Sequence, residues 1–113
     1  MVFVDTGAWF ARYVPADPDH KRVKAWLDSN PEPLITTDYC ADETLTLLAA
    51  RRRPLRAMEV GHALFEAGVA RIHFLTPDQI RRAWFLFQQR ASAGWRRKGV
   101  GSLLSRMIAG LNT

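Results

Sequence analysis

Val2-Phe3-Val4-Asp5-Thr6-Gly7-Ala8-Trp9 is the stretch on which the fold turns. Val2 to Val4 is a short run of β-formers and reads as a buried strand. It ends at Asp5-Thr6-Gly7, which leaves the aspartate at the carboxyl end of that strand. Ala8 to Val14 then takes up helical spacing, with Trp9, Phe10 and Tyr13 prominent, and stops before Pro15. A carboxylate held rigidly at a strand end can bind Mg²⁺, which prefers hard oxygen ligands and keeps several waters. It can equally serve as the cap of the helix that follows. The motif alone does not choose.

Outward from this stretch the same alternation continues. Asp17-Pro18 predicts an N-cap with proline at the first helical position. The helix carries Val23, Trp26 and Leu27 inward and Lys21, Arg22 and Lys24 outward, and ends at Asn30-Pro31. Leu34-Ile35-Thr36 is a second strand. Asp38 caps a helix bearing Leu45, Leu47 and Leu48, which stops at Arg51-Arg52-Arg53-Pro54. Pro54 opens a fourth helix through Leu55, Met58, Leu64 and Phe65, closed by Gly68. Val69 to Leu75 is a third strand. Thr76-Pro77-Asp78 starts a long helix whose Ile80, Ala83, Trp84, Phe87 and Ala91 make one apolar stripe. The order β-α-α-β-α-α-β-α predicts an α/β fold with a mostly parallel sheet covered on both faces. In such sheets the working site lies outside the carboxyl ends of the strands, where Asp5 sits. Asp5-Thr6-Gly7-Ala8 also resembles the active-site turn of retroviral-type aspartic proteases, but those are all-β, and the helices that follow here argue against that reading.

Composition sets the outer bounds. At 113 residues, 48% of them apolar, the chain reads as one globular domain. Cys40 is the single cysteine, so no internal disulfide and no Cys/His zinc spacing exist, which fits a reducing cytoplasm. Asp5 and Arg12 interrupt the apolar start, which excludes a signal peptide or membrane span there. The net charge of +5 is unevenly placed. Through Asp78 nine basic residues face all eleven acidic ones; from Gln79 onward there are seven basic residues and no acid.

Other residues with chemical potential carry ordinary readings beside the functional ones. Asp42-Glu43 lies off the apolar side of its helix by similar angles, so periodicity does not separate the two acids. An acidic first turn favoured by the helix dipole explains them without a ligand. Arg51-Arg52-Arg53 and Arg96-Arg97-Lys98 suit phosphate contact, and the first cluster also suits a helix C-terminus. His20, His62 and His73 make no ligand spacing, and His73 reads as structural. Trp9, Trp26, Trp84 and Phe87 sit at helical spacing and read as core residues before stacking platforms; Trp95 reads as a residue of the site's rim.

Together Val4-Asp5-Thr6-Gly7-Ala8-Trp9, then Thr36-Thr37-Asp38-Tyr39 leading into Asp42-Glu43-Thr44-Leu45-Thr46-Leu47-Leu48, then Arg71-Ile72-His73-Phe74-Leu75-Thr76, resemble PIN domains, and among them the bacterial VapC-type toxins. The resemblance runs from Val2 to about Trp95. It implies a three-layer α/β domain and a Mg²⁺- or Mn²⁺-dependent endoribonuclease whose sheet edge gathers three or four carboxylates. Asp5 matches the first of these acids and Glu43 the second, as catalytic and metal-holding residues. It also implies an RNA substrate, a small cognate antitoxin and a homodimer.

The chain departs from the family after Gly94-Trp95. Arg96-Arg97-Lys98 stands where a serine- or threonine-aspartate motif is expected, and no acid follows Asp78. The third and fourth carboxylates are therefore missing. Residues 1–95 are expected to form an incomplete PIN-like domain without its C-terminal strand or strands, and 96–113 a divergent basic tail with at most one weak helix over Ser102–Leu111. A shifted reading frame in a GC-rich gene accounts for such a tail. Three readings follow: an impaired nuclease, a catalytically inactive module that still binds antitoxin or RNA, or a decayed gene product that hardly folds.

Overall fold

The computed structural model describes residues 1–92, and the tail, with its Arg96-Arg97-Lys98 cluster, Trp95 and the Ser102–Leu111 helix, lies outside them. In chain order the elements are β1 (Val2–Phe3), α1 (Thr6–Tyr13), α2 (His20–Ser29), β2 (Leu34–Thr37), α3 (Asp38–Ala50), α4 (Pro54–Gly61) with a wide π-type turn over His62–Glu66, β3 (Arg71–His73) and α5 (Pro77–Ser92). The three described strands pair in the order β1-β2-β3, both pairs parallel. Val2 faces Leu34 and Phe3 faces Ile35; Ile35, Thr36 and Thr37 face Arg71, Ile72 and His73. The α/β alternation and parallel sheet expected from the sequence are therefore present; the expected loss of C-terminal strands concerns residues beyond those described.

Parallel strands put every carboxyl end on one edge, and β1, β2 and β3 each hand over to a helix there. Val4 continues the ladder past β1, its N–H donating to Ile35 O at 2.9 Å. The junction is then closed by side chains. The Trp9 indole Nε1 donates to Thr36 Oγ1 at 3.0 Å, and Thr36 Oγ1 donates to Val4 O at 2.8 Å. Thr36 and Trp9 are both buried. Around them pack Val4, Phe10, Tyr13, Val14, Ala41, Leu48, Val60 and Leu64, the centre of the apolar core.

Several boundaries move from their expected positions, each for a local reason. Asp17 does not cap α2: its Oδ1 accepts from Asp19 N at 2.8 Å, which turns the chain and delays the helix to His20. Asp38 does not cap α3. Thr37, in extended conformation, accepts from Cys40 N at 3.1 Å, and Asp38 becomes the first helical residue. Gly68 closes the wide turn after α4 with φ of +65°, a conformation that glycine adopts without a Cβ penalty. At the start of α5, Thr76 Oγ1 accepts from Gln79 N, and Gln79 Oε1 accepts from Thr76 N, a reciprocal cap.

The core is smaller than the aromatic pattern implied. Trp9 is inside, but Trp26 is more than half exposed, because no residue of α2 is buried and the helix meets α1 by one flank. Trp26 lines an apolar groove of about 320 Å³ with Val2, Val4, Val23 and Leu27. Of the stripe's described side chains on α5, Ala83 is buried, Ile80 and Trp84 face outward and Phe87 is half-buried. Leu55, Met58 and Phe65 are likewise exposed, leaving Val60, Ala63 and Leu64 to carry the inner face of their segment.

Charge on α3 is sorted by end. Asp38, Asp42 and Glu43 lie in its first turns, and Arg51, Arg52 and Arg53 follow its last, which complements the helix dipole. The Arg51 guanidinium sits 5.0 Å from the Phe10 ring centroid, and Arg52 takes a positive φ of 56° at the joint.

Thr36→Val should lower stability by about 1–3 kcal/mol in a denaturant titration, because it leaves the buried indole N–H and the Val4 carbonyl without their shared partner. A variant as stable as the parent would show that the junction is not held by this hydroxyl.

Candidate active site

Asp5 and the helix that carries Glu43 both leave the sheet at its carboxyl edge. Asp5 leaves β1 at this edge and is buried, with 8% of its surface exposed. Its Oδ1 accepts from Ala8 N at 2.9 Å, so it does cap α1, with extended backbone at φ −90° and ψ 176°. The capping role and a role toward a ligand are thus compatible on one side chain. Gly7 is not required by space: a Cβ there would stand in ordinary contact with Asp5 Oδ1, at 3.7 Å.

Thr6 adds an observation that no motif announced. It is 6% exposed, and among the described residues its Oγ1 is a buried hydroxyl with no hydrogen-bond partner. A buried polar atom left unsatisfied costs about 1–3 kcal/mol, so its persistence beside a buried carboxylate points to water or a hydrated ion as its partner.

Glu43 stands in the second turn of α3, the helix that leaves β2 at the same edge and packs against α1. The structure separates it from Asp42, which periodicity did not. Asp42 is exposed, whereas Glu43 is half-buried and its Oε2 accepts from Tyr39 Oη at 3.1 Å. Burial, followed by the negative charge of Glu43 and the bond to it, holds the Tyr39 hydroxyl above its ordinary value of 10.0. Asp38 is engaged elsewhere: its Oδ1 accepts from Leu75 N at 3.0 Å and ties the exit of β3 to the start of α3.

Asp5, Thr6 and Glu43 offer only oxygen donors, the chemistry that Mg²⁺ and Mn²⁺ accept. These residues fit a largely hydrated cation. They do not make a complete cage, since among the described residues no three His, Cys, Asp or Glu side chains converge as a metal-holding group. The histidines stay outside the site. His20 Nδ1 lies 2.8 Å from Ala11 O, His62 pairs with Glu66, and His73 Nε2 lies 3.1 Å from Gln79 Oε1, a structural use.

Asp5→Ala should cost about 1 kcal/mol of stability by removing the cap, while Asp5→Asn, which caps equally well, should melt close to the parent. Equal losses in the two variants would deny the capping role. Tyrosine ionisation supplies a second check. Tyr13 is also raised, first by burial, so both tyrosines stay protonated in the folded chain where the unfolded chain already ionises. Their contribution to stability is full below pH 10.0 and is lost as pH rises above it. In Glu43→Gln, spectrophotometric titration should bring one tyrosine down toward, but not to, its ordinary value, because burial remains. An unchanged titration would mean that Glu43 does not face Tyr39.

Comparison with known proteins places this geometry. No protein-family model matches the sequence. Two curated relatives, the 23S rRNA-specific endonuclease VapC20 from two strains of Mycobacterium tuberculosis, are each 34% identical over 84 residues, which is 74% of this chain. The matched stretch spans 63% of the length of those relatives. The solved structure of Mycobacterium tuberculosis VapC20, described as a Sarcin-Ricin loop cleaving toxin, superposes with a TM-score of 0.84. That match covers 99% of this chain and 83% of the other at 23% identity, a likeness of fold. Among the described residues no helix is long and apolar enough to cross a membrane.

Proposed function

We propose, for a chain that is a homologue of the VapC-type PIN-domain toxins in sequence and in fold, that it is a divalent-metal-dependent endoribonuclease working at the carboxyl edge of its sheet. The observation that carries the reading is Asp5, a carboxylate buried at the end of β1 with an unsatisfied hydroxyl, Thr6 Oγ1, next to it in the chain. The name of the curated relatives, 23S rRNA-specific endonuclease, supports RNA as the substrate class.

Asp5 and Glu43 are the residues proposed to hold Mg²⁺ or Mn²⁺, with the Thr6 hydroxyl toward the cation's water. When bound, such an ion supplies Lewis-acid activation of water and offsets charge on a phosphodiester. The chain's own residues prepare the place. The cap to Ala8 N fixes Asp5, the Thr36 bridge fixes the strand end that carries it, and Tyr39 restrains the Glu43 carboxylate. Burial of Asp5 keeps bulk water from competing for it.

The family resemblance also supports a cognate antitoxin, a homodimer and a cytoplasmic setting, where the buried Cys40 thiol stays reduced. We further propose a PIN-like domain over 1–95, a separate basic segment over 96–113, and a low cleavage rate, since no acid follows Asp78 to join Asp5 and Glu43. The same lack of acids favours the second reading, an inactive module that binds antitoxin or RNA without cutting.

Cleavage of ribosomal RNA with Mn²⁺ separates the two. The parent chain should cut in a metal-dependent way, and Asp5→Asn and Glu43→Gln should each lose at least roughly a hundredfold, at or beyond the upper end for disturbing only the outer shell of a metal. Cutting that survives both substitutions would refute the site. Binding without any cutting would establish the module instead. A parent rate matching that of VapC20 on its own substrate would overturn the proposed impairment.

A further inference from the structure

Helix α5 meets the rest of the protein through Ala83 and turns a different kind of surface outward. Trp84 and Phe85 are 57% and 58% exposed, an unusual place for two large rings. At about 100° per residue, Arg81 lies one turn before both rings and Arg82 one turn before Phe85. Gln88 lies one turn after both, and Gln89 one turn after Phe85. Each ring is thus bracketed by a cation and an amide. The Trp84 indole is braced from one side by Phe87, their rings stacked at 5.9 Å and 19°. Arg81 pairs with Asp78 at 3.1 Å across a fully solvated gap, a bond of little strength, and among the described residues no carboxylate pairs with Arg82. Asp78 is the last acid in the sequence.

We propose that this outer face of α5 is a binding platform for unpaired RNA bases. Trp84 and Phe85 provide the faces on which bases stack, Arg81 and Arg82 meet the phosphates between them, and Gln88 and Gln89 reach base edges. Every base has a π-face, so stacking of this kind tolerates any sequence, and basic residues beside the rings supply attraction to the backbone. Rings and arginines also suit protein contact; what favours nucleic acid here is that cations and amides bracket each ring and residues 79–92 hold no acid. The inference depends on the proposed function only for the choice of RNA as ligand. The platform begins at the same edge as Asp5, because α5 follows β3 there, so it would hold a single strand beside the acidic site.

The test uses the full chain and a fluorescently labelled oligouridylate, with chelator present so that nothing is cut. Trp84→Ala and Phe85→Ala should each weaken binding roughly 5- to 160-fold, the range for loss of one stacked base. Trp84→Phe should recover most of the loss, which a merely misfolded helix would not. Arg81→Gln and Arg82→Gln should each lower the slope of log affinity against log salt by about 0.7. Double-stranded RNA of equal length should bind less well. Unchanged oligouridylate affinity in Trp84→Ala would overturn the proposal, and a fall in molecular mass in that variant with RNA affinity intact would assign the face to protein contact instead. If the parent chain binds oligouridylate but cuts no RNA with Mn²⁺, the nuclease reading fails while the platform stands.

Discussion

One buried hydroxyl holds the working end of the molecule together. Thr36 Oγ1 takes the indole N–H of Trp9 and gives its own proton to the carbonyl of Val4. Three segments meet in that contact: the strand that delivers Asp5, the strand that leads into α3, and the helix that Asp5 caps. In a sheet whose first strand spans two residues, ladder hydrogen bonds alone are too few to fix the strand end. A threonine satisfied on both sides in a dry interior does so with orientation as well as attachment. The Asp38 bond to Leu75 N repeats the device on the other flank and closes β3 onto the same edge.

The same clasping fixes the carboxylate it carries. Asp5 lends an oxygen to the backbone of α1, and that bond immobilises the side chain at the strand end. Glu43 is restrained more loosely, by a phenol one turn back on its own helix and near the surface. The two acids differ in rigidity, then, and the tighter one is nearer the sheet. Thr6, immediately after Asp5, is the residue whose chemistry is not completed by the described protein groups.

Much of this was legible in the residues before any coordinates. The strand-then-acid pattern at Val2–Asp5 and the proline and glycine stops gave the α/β order, because such signals act locally. Asp5 was legible twice over, as cap and as candidate ligand, and the structure shows the first use directly. Glu43 was not separable from Asp42 by periodicity; the discriminating fact is the Tyr39 contact, which depends on rotamers. Trp26 and Trp84, whose spacing predicts core positions, are more than half exposed. A helical stripe reports that one side is apolar, but whether anything covers it is a tertiary fact. Thr6 carried no signal at all, since a threonine opening a helix is commonplace and only its missing partner makes it noteworthy. Asp38 seemed the natural cap, yet Thr37 won because its backbone was already extended by β2.

The sorting of charge along α3 has an electrostatic corollary. The helix of 13 residues is about 20 Å long, so its arginine end is roughly two or more screening lengths from its acidic end at physiological salt. Glu43, eight residues before Arg51, stands only about 12 Å from it along the axis, so salt weakens the attraction between them without abolishing it. The two ends of α3 thus present opposite charge to solvent, and added salt loosens the hold of each on the other.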